Sequence, residues 1–84
     1  MGRSQRPRPK RLSSKLRQIR SHLGISQVEM AKRLGYRNIH PAHISGYERG
    51  EREPLLVVLL KYAQLVGVST DFIIDDKVNL PKLT

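Results

Sequence analysis

The chain has no cysteine, so neither a disulfide framework nor a thiolate metal site is open to it. Aromatic residues are few: Tyr36, Tyr47, Tyr62 and Phe72. Acids are scarce, with seven Asp and Glu against sixteen Lys and Arg and a net charge of +9. Long apolar runs are missing too. The nearest to one, "PLLVVLLKYAQLVGVSTDFII", is interrupted by Lys61, Gln64 and Asp71, which suits core helices and not a membrane span. The start is basic but no apolar segment follows it, so nothing there resembles an export signal. These absences point to a reducing interior such as cytoplasm. A chain of 84 residues suits one small domain with little core to spare.

The positive charge is unevenly placed. Residues 1–24 carry eight Lys and Arg and no acid, residues 25–53 carry five against four, and residues 54–84 three against three. A basic front and a neutral rear suit a polyanion met from one side. Residues 1–11, "MGRSQRPRPKR", combine two prolines and five cations with almost nothing to bury, and read as a flexible basic arm.

From Leu12 the pattern becomes helical. Leu12, Leu16, Ile19 and Leu23 form one stripe, with Ser13 or Ser14 as possible cap and Gly24 as stop. "SQVE" then reads as a capping box between Ser26 and Glu29, opening a second helix that buries Met30, Ala31 and Leu34 and ends at Gly35. Pro41 fits the first turn of a third helix over about 41–48, with His40 as its boundary because the residue before proline avoids the helical region. That helix buries Ile44 and Tyr47, and Gly46 is expected to leave a bare patch on its outer face. Pro54 opens a fourth helix with an expected inner stripe of Leu56, Leu59, Leu60, Ala63 and Val66, closed by Gly67. "VSTDFII" reads as a short fifth helix capped by Ser69 that docks Phe72 or Ile73. The expected organisation is an arm over 1–11, an all-α five-helix domain over 12–76 and a tail over 77–84 without clear periodicity.

Other chemistry is poorly supported. His40 and His43 are spaced as two metal ligands could be, but no Cys exists and His22 lies on another helix, so no metal is expected. "GYRNIHPAHISG" lacks the lysine and spacing of a phosphate-binding loop. Neither an enzyme nor a cofactor is expected.

The residues "KLRQIRSHLGISQVEMAKRLG…HISGYERGEREP…LLKYAQLVGVSTDFI" resemble the helix-turn-helix family of the phage repressor and Cro proteins, the xenobiotic-response-element-like transcriptional regulators. The resemblance spans about residues 12–74 and rests on Leu16, Ile19, Arg20, Ser26, Gln27, Ala31, Leu34, Gly35, Ile44, Ser45, Glu48, Gly50, Pro54, Leu59, Ala63, Gly67 and Val68. It implies a compact repressor-like domain whose second and third helices form the motif, the third entering the major groove of double-stranded DNA. On that basis His40, Pro41, Ala42, His43, Ser45 and Gly46 face the groove, and Gln27 contacts a phosphate at a helix N-terminus that favours anions. The turn "GYRNIH" is about three residues longer than usual in the family, which adds Arg37 and Asn38 as DNA-facing residues. Arg49, Arg52, Arg6, Arg8, Lys10 and Arg11 complete the expected contact set. Few of these side chains reach base edges, His43 as a donor and Ala42 against a thymine methyl among them, so sequence preference could also come from the arm or from DNA shape. An Arg20–Glu48 ion pair tying the first helix to the third is implied as well.

The function expected is a sequence-specific transcriptional regulator, most simply a repressor occupying an operator; an autoregulating antitoxin and a helical protein adaptor are the alternatives. The setting would then be cytoplasmic and nucleoid-associated. Val57, Val58, Tyr62 and Leu65 are apolar on a flank that the inner stripe does not need, and are expected to form a homodimer interface unless the domain's own core covers them.

Overall fold

Glycine, serine and proline divide the described residues into five helices. The computed structural model describes residues 9–36 and 38–83; Arg6 and Arg8 of the arm and Arg37 of the turn lie outside the described residues. Helix α1 runs Leu12–Leu23, α2 Gln27–Leu34, α3 Pro41–Glu48, α4 Leu56–Val66 and α5 Asp71–Ile74. Among the described residues there is no strand.

Most local signals act as their chemistry requires, but α1, α2, α4 and α5 each depart from expectation at the start. Pro54 lies two residues before α4, whose N-cap residue is Leu55. The N-cap residue of α5 is Thr70, with Ser69 Oγ accepting from the amide of Asp71 at 3.3 Å. Gly24 ends α1 at φ 69°, its amide donating to the carbonyls of Arg20 and Ser21 at 3.0 Å. Ser26 Oγ accepts from the amide of Glu29 at 3.1 Å. The Glu29 carboxylate, however, turns to Arg33 Nε at 3.3 Å, so the predicted box is met on the serine side. Neither Ser13 nor Ser14 caps α1, whose N-cap residue is Arg11. The carboxylate of Asp76 does so from the far end of the chain, accepting the amides of Lys10 at 2.8 Å and Arg11 at 3.0 Å. Those two backbone bonds, with the nearby cations Lys15 and Arg11, hold the Asp76 carboxyl below the usual carboxylate range.

Helix α3 packs on α1 and α2, α4 and α5 pack on α1, and α2 also meets α4. The shared core comprises Leu12, Leu16, Ile19, Met30, Ala31, Leu34, Ile44, Tyr47, Val58, Leu59, Tyr62, Ala63 and Ile73. Ile73, not the more exposed Phe72, is the residue α5 docks. Leu80 and Leu83 in the tail also pack against this core.

The register of α4 differs from expectation. Val58 is 1% exposed and Tyr62 fully buried within the single chain, and Leu65 packs against the core, so these three do not form an open dimer flank. Leu56 and Leu60, placed on the inner stripe by sequence, are instead 77% and 47% exposed. The helix is apolar on nearly every side, and it turns Lys61 and Gln64 outward together with Val57 and Leu60. An exposed apolar patch of Leu55, Leu56, Val57 and Leu60 results.

Tyr62 also carries a buried hydroxyl with no hydrogen-bond partner among the described residues. Burial first, then the neighbouring Glu48 and Tyr47, push its phenol far above the ordinary tyrosine range, against the opposing pull of Arg20. The fold therefore favours the neutral phenol. That stability is fully present below about pH 10, where the unfolded phenol is neutral, and is lost at about 1.4 kcal/mol per pH unit above it. Tyr62→Phe should be at least as stable as wild type at pH 8 and should lose less at pH 11. Chemical denaturation at the two pH values should show the gap widening by about 1.4 kcal/mol; parallel alkaline losses would mean that the phenol ionises freely in the folded chain.

Candidate nucleic-acid interface

Helix α3 has one buried and one open side. Ile44, Gly46 and Tyr47 are buried, Ala42 and Arg49 are exposed with His40 beside them, and Ser45, between Ala42 and Arg49, is half-buried like Pro41 and His43. Pro41 occupies the first helical position, where its missing N–H is harmless, and His40 before it is extended at φ −115° and ψ 163°. His40 donates its backbone N–H to His43 Nδ1 at 2.9 Å, and the two rings stack with centroids 5.5 Å apart.

Gly46 is a correction. It does not face outward: the chain folds back over it after α3, and the amides of Glu51 and Arg52 donate to its carbonyl at 2.9 and 3.2 Å. A Cβ placed on Gly46 would lie 3.2 Å from Arg52 Cβ. The glycine is there for the close approach of its own chain and offers nothing to a groove.

The charged residues around α3 are already arranged. Arg49 donates through Nη1 to Ser45 Oγ and through Nη2 to Glu51 Oε1 at 2.9 Å. This exposed pair raises the guanidinium's pKa and lowers that of the Glu51 carboxyl. Lys10 and Arg52 line one shallow pocket with Ser13, Tyr47 and Gly50, which places arm and loop cations at the C-terminal end of α3. Asn38 is exposed in the α2–α3 turn.

Arg11 is the second correction. Its Nη1 donates to the carbonyls of Asp76 at 3.0 Å and Val78 at 3.3 Å, and its Nη2 to Asn79 Oδ1. It is engaged with the tail instead of being presented to a ligand.

Arg20 and Glu48 form the implied ion pair. Arg20 donates through Nε at 2.6 Å and through Nη2 at 3.0 Å to the two carboxylate oxygens, a bidentate geometry, and through Nη1 to the carbonyl of Ile25 at 2.9 Å. The bond to Glu48 raises the Arg20 pKa further. Gln27 also donates to Glu48 Oε1, at 3.3 Å. Its amide therefore points partly inward, with a second N–H left for another acceptor.

Two anchoring residues escaped the sequence reading. Lys15 lies on the apolar side of α1, 1% exposed, and donates to the carbonyls of Phe72, Asp75 and Val78 at 2.8, 2.8 and 2.7 Å. A cation in line with Leu12, Leu16 and Ile19 is a signal for such a site. Tyr36 donates its hydroxyl to the carbonyl of Val57 at 3.2 Å and fastens the long turn to α4; no pattern in the sequence announces that.

Comparison with known proteins agrees with this geometry. Residues 16–73 match the model of the family described as Helix-turn-helix. The chain is 38% identical over 63 residues to the HTH-type transcriptional regulator ImmR of Bacillus subtilis (strain 168), covering 75% of this chain and 47% of that protein. It is 33% identical over 66 residues to antitoxin HigA1 of Mycobacterium tuberculosis, covering 79% and 42%. The chain thus spans less than half the length of these curated relatives. Among solved structures, the P22 c2 repressor in complex with a synthetic operator superimposes with a TM-score of 0.67 at 28% identity, over 77% of this chain and 94% of that one. The restriction-modification controller protein C.AhdI from Aeromonas hydrophila gives 0.63 at 28% identity, over 75% and 87%. With α2 and α3 joined in the expected way and a five-helix repressor-like architecture around them, the chain belongs to the helix-turn-helix family.

Proposed function

We propose that the chain binds double-stranded DNA sequence-specifically and regulates transcription, acting as a repressor by occupying an operator. The observation that carries this reading is the open side of α3. Ala42, Ser45 and Arg49 stand on it beside His40, Pro41 and His43, and cations from the arm and the α3–α4 loop adjoin one end. This combination supplies base-edge contacts from a helix and phosphate contacts from its surroundings. The operator-bound P22 c2 repressor with a similar fold supports the same reading.

The functional unit we propose is a homodimer formed through Leu55, Leu56, Val57 and Leu60, in place of the buried Val58 and Tyr62. Four apolar side chains this exposed on one small domain favour a covering partner. A second copy would set two α3 helices about one DNA turn, roughly 34 Å, apart over a near-palindromic site.

Selection of bound sequences from random duplex DNA tests both parts. Wild type should enrich two half-sites about one turn apart, and the affinity should fall by about a thousandfold between 50 and 200 mM salt. Leu56→Glu with Leu60→Glu should stay folded, sediment as a monomer and bind the same site more weakly. Unenriched DNA would remove the proposed function; a monomeric wild type that still selects paired half-sites would remove only this interface.

A further inference from the structure

The two histidines at the start of α3 hold one another in a defined chemical state. His43 Nδ1 accepts the backbone N–H of His40 at 2.9 Å. A ring nitrogen that accepts carries no proton, so the neutral imidazole of His43 has its single N–H on Nε2. A backbone amide can only donate. It therefore cannot adapt to the other tautomer, and a flipped ring would leave that amide without its acceptor. The stacked ring of His40, 5.5 Å away and inclined by 24°, holds His43 in the same orientation.

The rest of the outer side of α3 has the same polarity. Arg49 brings a guanidinium, which only donates. The Ser45 hydroxyl oxygen is taken up as its acceptor, and Ala42 brings a methyl. The nearby carboxylates are occupied, Glu48 by Arg20 and Gln27 and Glu51 by Arg49. Among the described residues, the side chains on this face therefore bring donors at fixed places, and the nearest carboxylates are each paired with an arginine.

We infer that His43 is a donor-only base reader whose Nε2–H selects guanine in the major groove. Guanine presents two acceptors there, N7 and O6, and no donor. Cytosine presents a donor, adenine sets an amino group beside its N7, and thymine sets a methyl beside its single acceptor O4, so guanine alone offers a donor two adjacent acceptors and nothing else. The inference rests on the DNA-binding reading above and assigns a polarity and a base to one of its residues.

The test uses the full chain and the half-site obtained by selection. Each guanine is replaced in turn by 7-deazaguanine, which lacks N7, and by inosine, which keeps both major-groove acceptors. One position per half-site should lose about tenfold or more in affinity with 7-deazaguanine and little with inosine. His43→Phe should lose the preference for guanine at that position and become indifferent to the deaza substitution there. His43→Asn, which can still accept the His40 amide, serves if the Phe variant does not fold. Wild-type binding unaffected by 7-deazaguanine at every position, or a His43 variant with an unchanged selected sequence, would overturn the inference while leaving DNA binding in place. Failure to enrich any sequence would overturn both.

Discussion

Glu48→Ala should destabilise the domain by about 3 kcal/mol, because it leaves a cation without its partner inside a small fold. The Glu48 side chain is 5% exposed and receives Arg20 twice and Gln27 once. Through it α1, the start of α2 and the end of α3 meet at one carboxylate. Arg20 keeps 21% of its side-chain surface, so water can relieve part of the loss, and the expectation sits at the low end for a broken buried pair. In a domain of this size, that change lowers the melting temperature by roughly 12–24 °C. Urea denaturation of Glu48→Ala beside Glu48→Gln checks it, since the amide still offers one acceptor and should fall between alanine and wild type. A loss below about 0.5 kcal/mol would put the pair in the class of exposed surface bridges, which contribute little.

Lys15→Met comes next in size. Methionine preserves most of the buried stem and removes the ammonium, leaving the carbonyls of Phe72, Asp75 and Val78 without the donor that gathers them. Burial, followed by the repulsion of Arg11, holds this lysine somewhat below the ordinary range, while Asp76 and Asp75 pull the other way. Three carbonyls around one nitrogen match the three donors of an ammonium, so the group is charged at neutral pH. An unmet buried acceptor costs about 1–3 kcal/mol, but a tail close to the surface can turn some carbonyls to water, and the expected loss is about 2–3 kcal/mol. Limited proteolysis should show faster cleavage after Lys77 in the variant than in wild type, at conditions where both are folded. A variant more stable than wild type would mean that desolvating the ammonium outweighs its three bonds, as replacement of other buried charges by apolar groups has taught.

The first three helices were legible because their limits are set by local chemistry. Gly24, Ser26, Gly35 and Pro41 act through φ, side-chain acceptors or a missing N–H, and none of these needs distant partners. Helix α4 was harder because apolar residues occupy nearly all of its sides. Periodicity alone placed Leu59, Ala63 and Val66 correctly but put Leu56 and Leu60 inside where Val58 and Tyr62 belong. Lys61 and Gln64 held the better signal: they share a side with Val57 and Leu60, and that side is turned outward. On α3, Ala42 is exposed and Ser45 half-buried, while Gly46, expected on the outer face, is buried. A helical glycine marks a close approach without saying by what, and here the neighbour is Arg52 of the same chain. Arg11 and Lys15 looked like two members of a basic front. Their acceptors stand 57 to 68 residues further on, where no local pattern can reveal them.

That separation orders the birth of the fold. Helices α1 to α4 precede residue 67, so in a chain synthesised from its N-terminus they can begin to assemble while Asp75 and Val78 are still being added. Until then the Lys15 ammonium must keep its water, on the very stripe of α1 that the core needs. Closing a span of about sixty residues is an entropic cost that grows only slowly with length, so the delay comes from synthesis and not from the search. Dehydration of that one lysine therefore comes after α1 to α4 are made, and it accompanies the docking of residues 72–83 onto the core.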